Sequence, residues 1–269
     1  MALKDVLLHV DDSPPYSARL DLAIDLAVNH NACLHGLYVI PQPHYAPRNA
    51  MAERKADEAA AMFAERTGRA GIETTWRCVE CHVTGVSQSE IINSHAYYAD
   101  LAVVGQTNHS AAYKGTQDDL PERLILASGR PVLVVPYAGS FTTVGKRVMV
   151  AWKAGRESTR AVNDALPFLS KAQQVHIAAV DTEAEPPGDA QSSCANICAY
   201  LSRHHVNATA ERIVAVDGNI GDQLLNLASD KGIDLLVTGA YTHAHRGTAL
   251  GAVAGHLLRY SPVPLLMSH

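Results

Sequence analysis

The 269-residue chain lacks any apolar run long enough to span a bilayer. Its longest, Pro131 to Pro136 and Pro262 to Met267, fall far short of the roughly 20 residues a spanning helix needs. It lacks a basic excess as well. Lys and Arg number 22 against 27 Asp and Glu, a formal charge of -5, which argues against a general nucleic-acid binder. Cysteine is scarce and odd in number, five in all, and Lys4 and Asp5 stand before a strand-like run where a secretory h-region would lie. The expectation is free thiols in a reducing, cytoplasmic setting. No G-x-S-x-G elbow, HExxH or paired carboxylates in a catalytic frame occur, so a dedicated enzyme of those classes is not expected. What remains is ordinary globular composition: 47% hydrophobic, 18% charged, mean hydropathy -0.03.

The chain repeats itself. Asp100-Leu-Ala-Val-Val-Gly105 resembles Asp234-Leu-Leu-Val-Thr-Gly239, and each precedes a Pro-flanked apolar run, at 131–135 and 263–267. Asp5-Val-Leu-Leu-His-Val10 matches Arg147-Val-Met-Val-Ala-Trp152, each followed by apolar residues at helical spacing: Leu20, Ile24, Ala27 and Val162, Leu166, Leu169. The join falls in the small and polar residues 137–145, giving domains 1–138 and 145–269. Strand and helix signals alternate within each. Strands are expected near 5–10, 33–39, 73–79, 100–104 and 131–135, then near 146–152, 174–180, 208–215, 234–238 and 263–267. Helices are expected near 16–29, 50–69, 86–97 and 120–128, then near 157–170, 189–205, 219–231 and 249–260. Such alternation calls for right-handed crossovers and doubly wound parallel five-stranded α/β sheets, whose ligands bind at the carboxyl ends of the strands where strand order reverses.

At those loops the sequence resembles the universal stress protein family in its bacterial tandem form. The resemblance covers nearly the whole chain. It is carried by Val10-Asp-Asp-Ser13, the segments Val150 to Ser158 and Asp164 to Leu169, Leu235 to Tyr241, and His256 to His269. Leu120-Pro-Glu-Arg123 with Ala127 to Tyr137 is similar to the family's N-terminal halves. The resemblance implies the adenine nucleotide alpha hydrolase-like fold, an intramolecular pseudo-dimer paired through the fifth strands, and a stress-response or regulatory role. Pairing would hide apolar edges at Val132 to Val135 and Pro264 to Met267 that would otherwise invite aggregation. It leaves homo-oligomers open and implies neither nucleic-acid nor membrane partners.

Family members that bind ATP carry Gly-x2-Gly-x9-Gly and then Ser or Thr after the fourth strand, with an aspartate at the end of the first. Glycine lets backbone approach phosphate, and a helix start supplies N–H donors. Here the halves have lost different parts. In the first, Asp11 matches the aspartate, but Asn108 takes the middle position and Asp118 and Asp119 the final pair, where they would repel a triphosphate. In the second, Gly239 and Gly251 remain, Thr242 replaces the middle glycine, the interval to Gly251 is one residue short, Ala252 replaces the hydroxyl, and Lys153 stands for the aspartate. A Thr at φ > 0 would cost on the order of 1 to 2 kcal/mol and a lost phosphate hydrogen bond roughly as much. The implied ATP affinity is therefore weak, with the second half the better candidate. Its implied nucleotide-binding residues are Ala151, Trp152, Lys153, Val180, Gly239, Thr242, Arg246, Gly251, Ala252 and Val253, with Asp11 in the first half; Lys153 and Arg246 would pair with phosphate.

Other motifs have plainer readings. Cys78-Val-Glu-Cys81-His82 spells a haem-attachment pattern but sits at a strand end without an export signal, leaving a redox-sensitive pair or, preferred, two unlinked thiols. Cys194, Cys198 and His205 share one face of an expected helix with Ile197 and Leu201; buried small residues explain them more simply than zinc. His243 and His245 lie where phosphates or a metal-bound ligand would sit, although chance proximity among 14 histidines competes. Gly139 to Lys146 approaches a phosphate-binding loop but has one residue too many and precedes a strand. Gly247, Gly251 and Gly255 permit close packing at a helix start.

Overall fold

The computed structural model describes residues 2–40, 50–81, 86–108, 119–141, 143–181, 189–214, 219–240 and 250–269. The chain divides into two compact units, 2–140 and 141–269. In domain 1 the order along the chain is β1 (Asp5–Val10), α1 (Tyr16–His30), β2 (Cys33–Ile40), α2 (Ala50–Ala70), β3 (Thr74–Glu80), α3 (Gln88–Ala96), β4 (Leu101–Gly105), α4 (Leu120–Ala127) and β5 (Val132–Val135). Domain 2 repeats it as β6 (Arg147–Trp152), α5 (Arg156–Leu169), β7 (Gln174–Asp181), α6 (Asp189–Arg203), β8 (Ala208–Val214), α7 (Ile220–Asp230), β9 (Leu235–Gly239), α8 (Ala252–Tyr260) and β10 (Leu265–Ser268).

The first sheet runs β3-β2-β1-β4-β5 and the second β8-β7-β6-β9-β10, the same order. Every pairing within these runs is parallel. Register repeats too: Val6 pairs with Leu101 as Val148 pairs with Leu235. The expected α/β class and doubly wound sheets are what the structure contains. Strands β1 and β4 are apolar in their interiors, His9 apart, because helices cover both faces, whereas the edge strands β3 and β8 carry Arg77, Glu80 and Glu211. Helix α1 buries Leu20, Ala23, Ile24 and Ala27, and α5 buries Val162, Ala165, Phe168 and Leu169, each set spaced to form one stripe.

Both halves anchor the start of their first strand with the aspartate that opens the repeated motif. The Asp100 carboxylate accepts from the backbone N–H groups of Lys4 (2.7 Å) and Asp5 (3.1 Å). Asp234 accepts from the N–H groups of Gly145 (3.0 Å), Lys146 (3.1 Å) and Arg147 (2.9 Å), and from the Thr143 hydroxyl (3.0 Å). Gly145, at φ 84, is thus a turn residue whose amide goes to a carboxylate and not to a phosphate. Helix α6 ends at Arg203, two residues short of His205, whose φ of 61 places it in the following turn. The helix face expected to carry Cys194, Cys198 and His205 therefore lacks the histidine.

Candidate functional site

In each sheet the order reverses between the first strand and the fourth, and the carboxyl ends of β1 and β4, or of β6 and β9, frame the crevice where a doubly wound fold takes its ligand. The two crevices have opposite contents.

Among the described residues, the domain 1 crevice is occupied from within. Arg19, on the inner face of α1, is 2% exposed. One guanidinium nitrogen lies 2.7 Å from the Asp11 carboxylate, and Nε donates to the His9 carbonyl at 3.3 Å. The guanidinium stands 5.7 Å from the centre of the Tyr16 ring, a cation-π contact. It also presses on Gly105 at the end of β4, where an added Cβ would come within 2.2 Å of it. Asp11 further accepts from the Ser13 amide at 3.0 Å and from the Ser13 hydroxyl. Burial pushes the Asp11 carboxyl up, but Arg19, with His9 and Ser13, outweighs it and holds the pKa below the ordinary value. Burial drives His9 down to about 4, so its imidazole is neutral near pH 7. Burial also raises the Tyr16 hydroxyl above the usual phenol range.

In domain 2 the crevice is open. A cavity of about 260 Å³ lies over the ends of β6 and β9, with Trp152, Lys153, Ser158, Gly239, Gly251 and Ala252 in its wall. Ala161 stands where domain 1 has Arg19, one residue before Val162 as Arg19 is one before Leu20, and it is buried; Ala151 and Ser158, in the cavity wall, stand where domain 1 has His9 and Tyr16. Lys153 replaces Asp11. The Trp152 indole is fixed by its Nε1–H, which donates to the Ser193 hydroxyl at 2.8 Å. Helix α8 begins at the cavity with Gly251 as N-cap and no side-chain cap, so its first amides have no intrahelical acceptor. Those amides and the helix dipole favour an anion there. Gly239 is required by packing: a Cβ would lie 2.6 Å from the backbone of Glu157 and Ser158, at the start of α5.

Of the residues expected to form the nucleotide site, Ala151, Trp152, Lys153, Gly239, Gly251, Ala252 and Val253 line this one cavity. Val180 lies on β7 but its side chain, like Thr242, His243, His245 and Arg246 entirely, lies outside the described residues. Asp11 belongs to the other domain and is engaged by Arg19. Sequence reasoning missed Ser158, Ala178, Ile220, Leu224, Thr238 and Ala254 in the wall, and missed Arg19 altogether. The signal for Arg19 was present: a charged residue on the apolar stripe of α1 with alanine at its counterpart in the repeat.

The remaining candidates are placed as follows. Asp119 pairs with Arg123, and Asp118 is outside the described residues. Cys78 is exposed on β3, with its thiol pushed up by partial burial and by Glu80 and Asp57, the wrong direction for an activated thiolate. The Cys81 thiol donates to the Val86 carbonyl at 3.0 Å, and His82 is outside the described residues. Cys194 is buried, and among the described residues no cluster of three His, Cys, Asp or Glu is arranged to hold a metal. No described helix is long and apolar enough to cross a membrane. A second depression, about 480 Å³, lies nearer the start of β1, where His35 bonds Asp5 (3.0 Å) and Thr75 (2.8 Å) beside Arg77 and His95.

A family model described as the universal stress protein family matches the sequence twice, over residues 2–136 and 145–269. Among solved structures, a universal stress protein from Archaeoglobus fulgidus DSM 4304 superposes with a TM-score of 0.76 at 16% identity, covering 98% of this chain and 96% of that one. A putative universal stress protein from Pseudomonas aeruginosa UCBPP-PA14 gives 0.65 at 16% identity, covering 99% and 93%. A universal stress protein from Archaeoglobus fulgidus in complex with dAMP matches 50% of this chain and 98% of that one, at 18% identity and a TM-score of 0.38. No curated protein matches the chain at comparable significance.

Proposed function

The chain belongs to the universal stress protein family, with two family domains in tandem, and from that premise we propose that domain 2 binds an adenine nucleotide weakly while domain 1 binds none at its crevice. The observation that carries this reading is the convergence on one cavity of the uncapped start of α8, Lys153 and the fixed Trp152 indole. Each has a part to play with such a ligand. The amides of α8 and the Lys153 ammonium would receive phosphate, and the indole offers a face for the base. Thr242, Arg246 and Val180 complete the proposed site.

The proposed role is regulatory, a cytoplasmic stress-response module and not a dedicated enzyme. Among the described residues the cavity's side chains supply Lys153, Ser158 and Thr238 as polar groups, with no acid and base paired across it. Five free thiols fit a reducing compartment. The apolar fifth strands, β5 and β10, are the surfaces proposed to pair the domains within the chain.

Isothermal titration with Mg-ATP tests the binding. The expected result is one weak site per chain that is lost in Gly251→Asp, whose carboxylate would stand at the α8 N-terminus against the phosphates. Absence of both heat and thermal shift at millimolar Mg-ATP rejects the reading and leaves a nucleotide-free module.

A further inference from the structure

We infer that Arg19 is domain 1's own ligand: its guanidinium occupies the crevice between β1 and β4 as a bound cation would, and this occupancy keeps the domain from taking any other. The partners form a guanidinium site in their own right. They are a carboxylate (Asp11, 2.7 Å), a backbone carbonyl (His9, 3.3 Å) and an aromatic face (Tyr16, 5.7 Å), all supplied by β1, the turn after it and the first turn of α1. Gly105 forms the floor, where an added Cβ would displace the guanidinium from this position.

Three features separate this from an ordinary surface ion pair. Arg19 is almost wholly buried, so its charge has traded water for these partners alone. It lies on a helix face otherwise given to Leu20, Ala23 and Ala27, where a side chain without a specific partner would be apolar. In the other domain the same backbone frame has Ala161, Ala151 and Ser158 where domain 1 has Arg19, His9 and Tyr16, and a cavity is lined by Ala151 and Ser158. Loss of the guanidinium thus goes together with smaller side chains at the His9 and Tyr16 positions where the crevice is open.

The consequence is chemical as well as steric. Truncating Arg19 exposes a crevice that presents the Asp11 carboxylate and the His9 carbonyl, so it should select planar cations and not anions. Arg19→Ala is expected to lower the melting temperature, and millimolar methylguanidinium chloride should restore part of the loss saturably, because it binds the folded state alone. The wild type, with its crevice filled, should show no such gain, and Arg19→Ala/Asp11→Asn should not respond either. Sodium chloride at equal ionic strength provides the baseline. If Arg19→Ala does not fold by itself, refolding it in methylguanidinium should recover the native circular dichroism spectrum. Equal stabilisation of the wild type and the variant, or no response of the variant in either format, overturns the inference. The readout uses no nucleotide, so it stands or falls apart from the binding proposed for domain 2.

Discussion

Domain 1 and domain 2 lay equivalent strands in the same order and register, yet where one has His9, Asp11 and Arg19 the other has Ala151, Lys153 and Ala161. The sheets do not register the difference. What holds each frame is the apolar interior of its strands and the aspartate that gathers the first strand's amides, and neither involves the crevice. The comparison shows that this fold accommodates a filled or an open switch point with no change of topology. Loss of a buried charge pair in one copy and its presence in the other is a difference of contents, not of architecture.

The largest expected effect comes from forcing domain 2 to resemble domain 1. Ala161→Arg puts a guanidinium at a buried position facing Lys153 instead of an aspartate, and an uncompensated buried charge costs about 3 to 5 kcal/mol. Urea denaturation read through Trp152 should show this loss, and adding Lys153→Asp should recover about 1 to 3 kcal/mol as coupling. Simple additivity of the two changes would mean that the paired geometry of domain 1 does not transfer.

Acid should separate the domains next. Between pH 6.5 and about 4 the unfolded chain protonates His9 while folded domain 1 keeps it neutral, so stability falls as pH drops through that window. The full loss is about 3 kcal/mol. Asp11, whose pKa is lowered in the fold, adds a loss of the same sign as pH falls further toward and through its folded value. Domain 2 has Ala151 in place of His9 and lacks this contribution. The two tryptophans fall one to each domain, Trp76 and Trp152, so Trp152→Phe and Trp76→Phe variants report the domains separately. Equal pH slopes, or a slope in domain 1 that survives His9→Gln, would contradict the assignment.

The smallest contrast lies in the strand anchors. Asp234 serves three amides and a hydroxyl and Asp100 two amides, so Asp234→Ala should cost about 2 kcal/mol and Asp100→Ala about 1 kcal/mol, because both sites are only partly buried. Thermal or urea denaturation of the two variants checks the order. A reversed order would place the anchoring elsewhere.

Much of this molecule was legible in its sequence. The period of the apolar residues and the internal repeat gave the strands and helices of both domains nearly to their ends, since burial on both faces leaves few other ways to arrange such strands. The ends that moved were capped by geometry that composition does not encode: α6 stops at Arg203 as His205 turns left-handed, and α8 starts at Ala252 and not at 249. The site was half legible. Gly239, Gly251 and Lys153 could be located because loops after the first and fourth strands must converge. Arg19 could not be located that way: its place on the apolar stripe of α1 marks it as buried, but what it meets depends on how that helix packs over the crevice. The glycine at the end of the fourth strand had a second meaning, since Gly239 is demanded by the approach of α5 as much as by any phosphate.

The central claim, one open crevice and one filled, is tested most directly by following backbone amides during a titration with Mg-ATP by heteronuclear NMR. The account predicts saturable shifts at Gly239, Gly251, Ala252 and Val253 with Gly105, Asp11 and Arg19 unmoved. Shifts centred on Gly105 and Asp11, with the start of α8 silent, would contradict it.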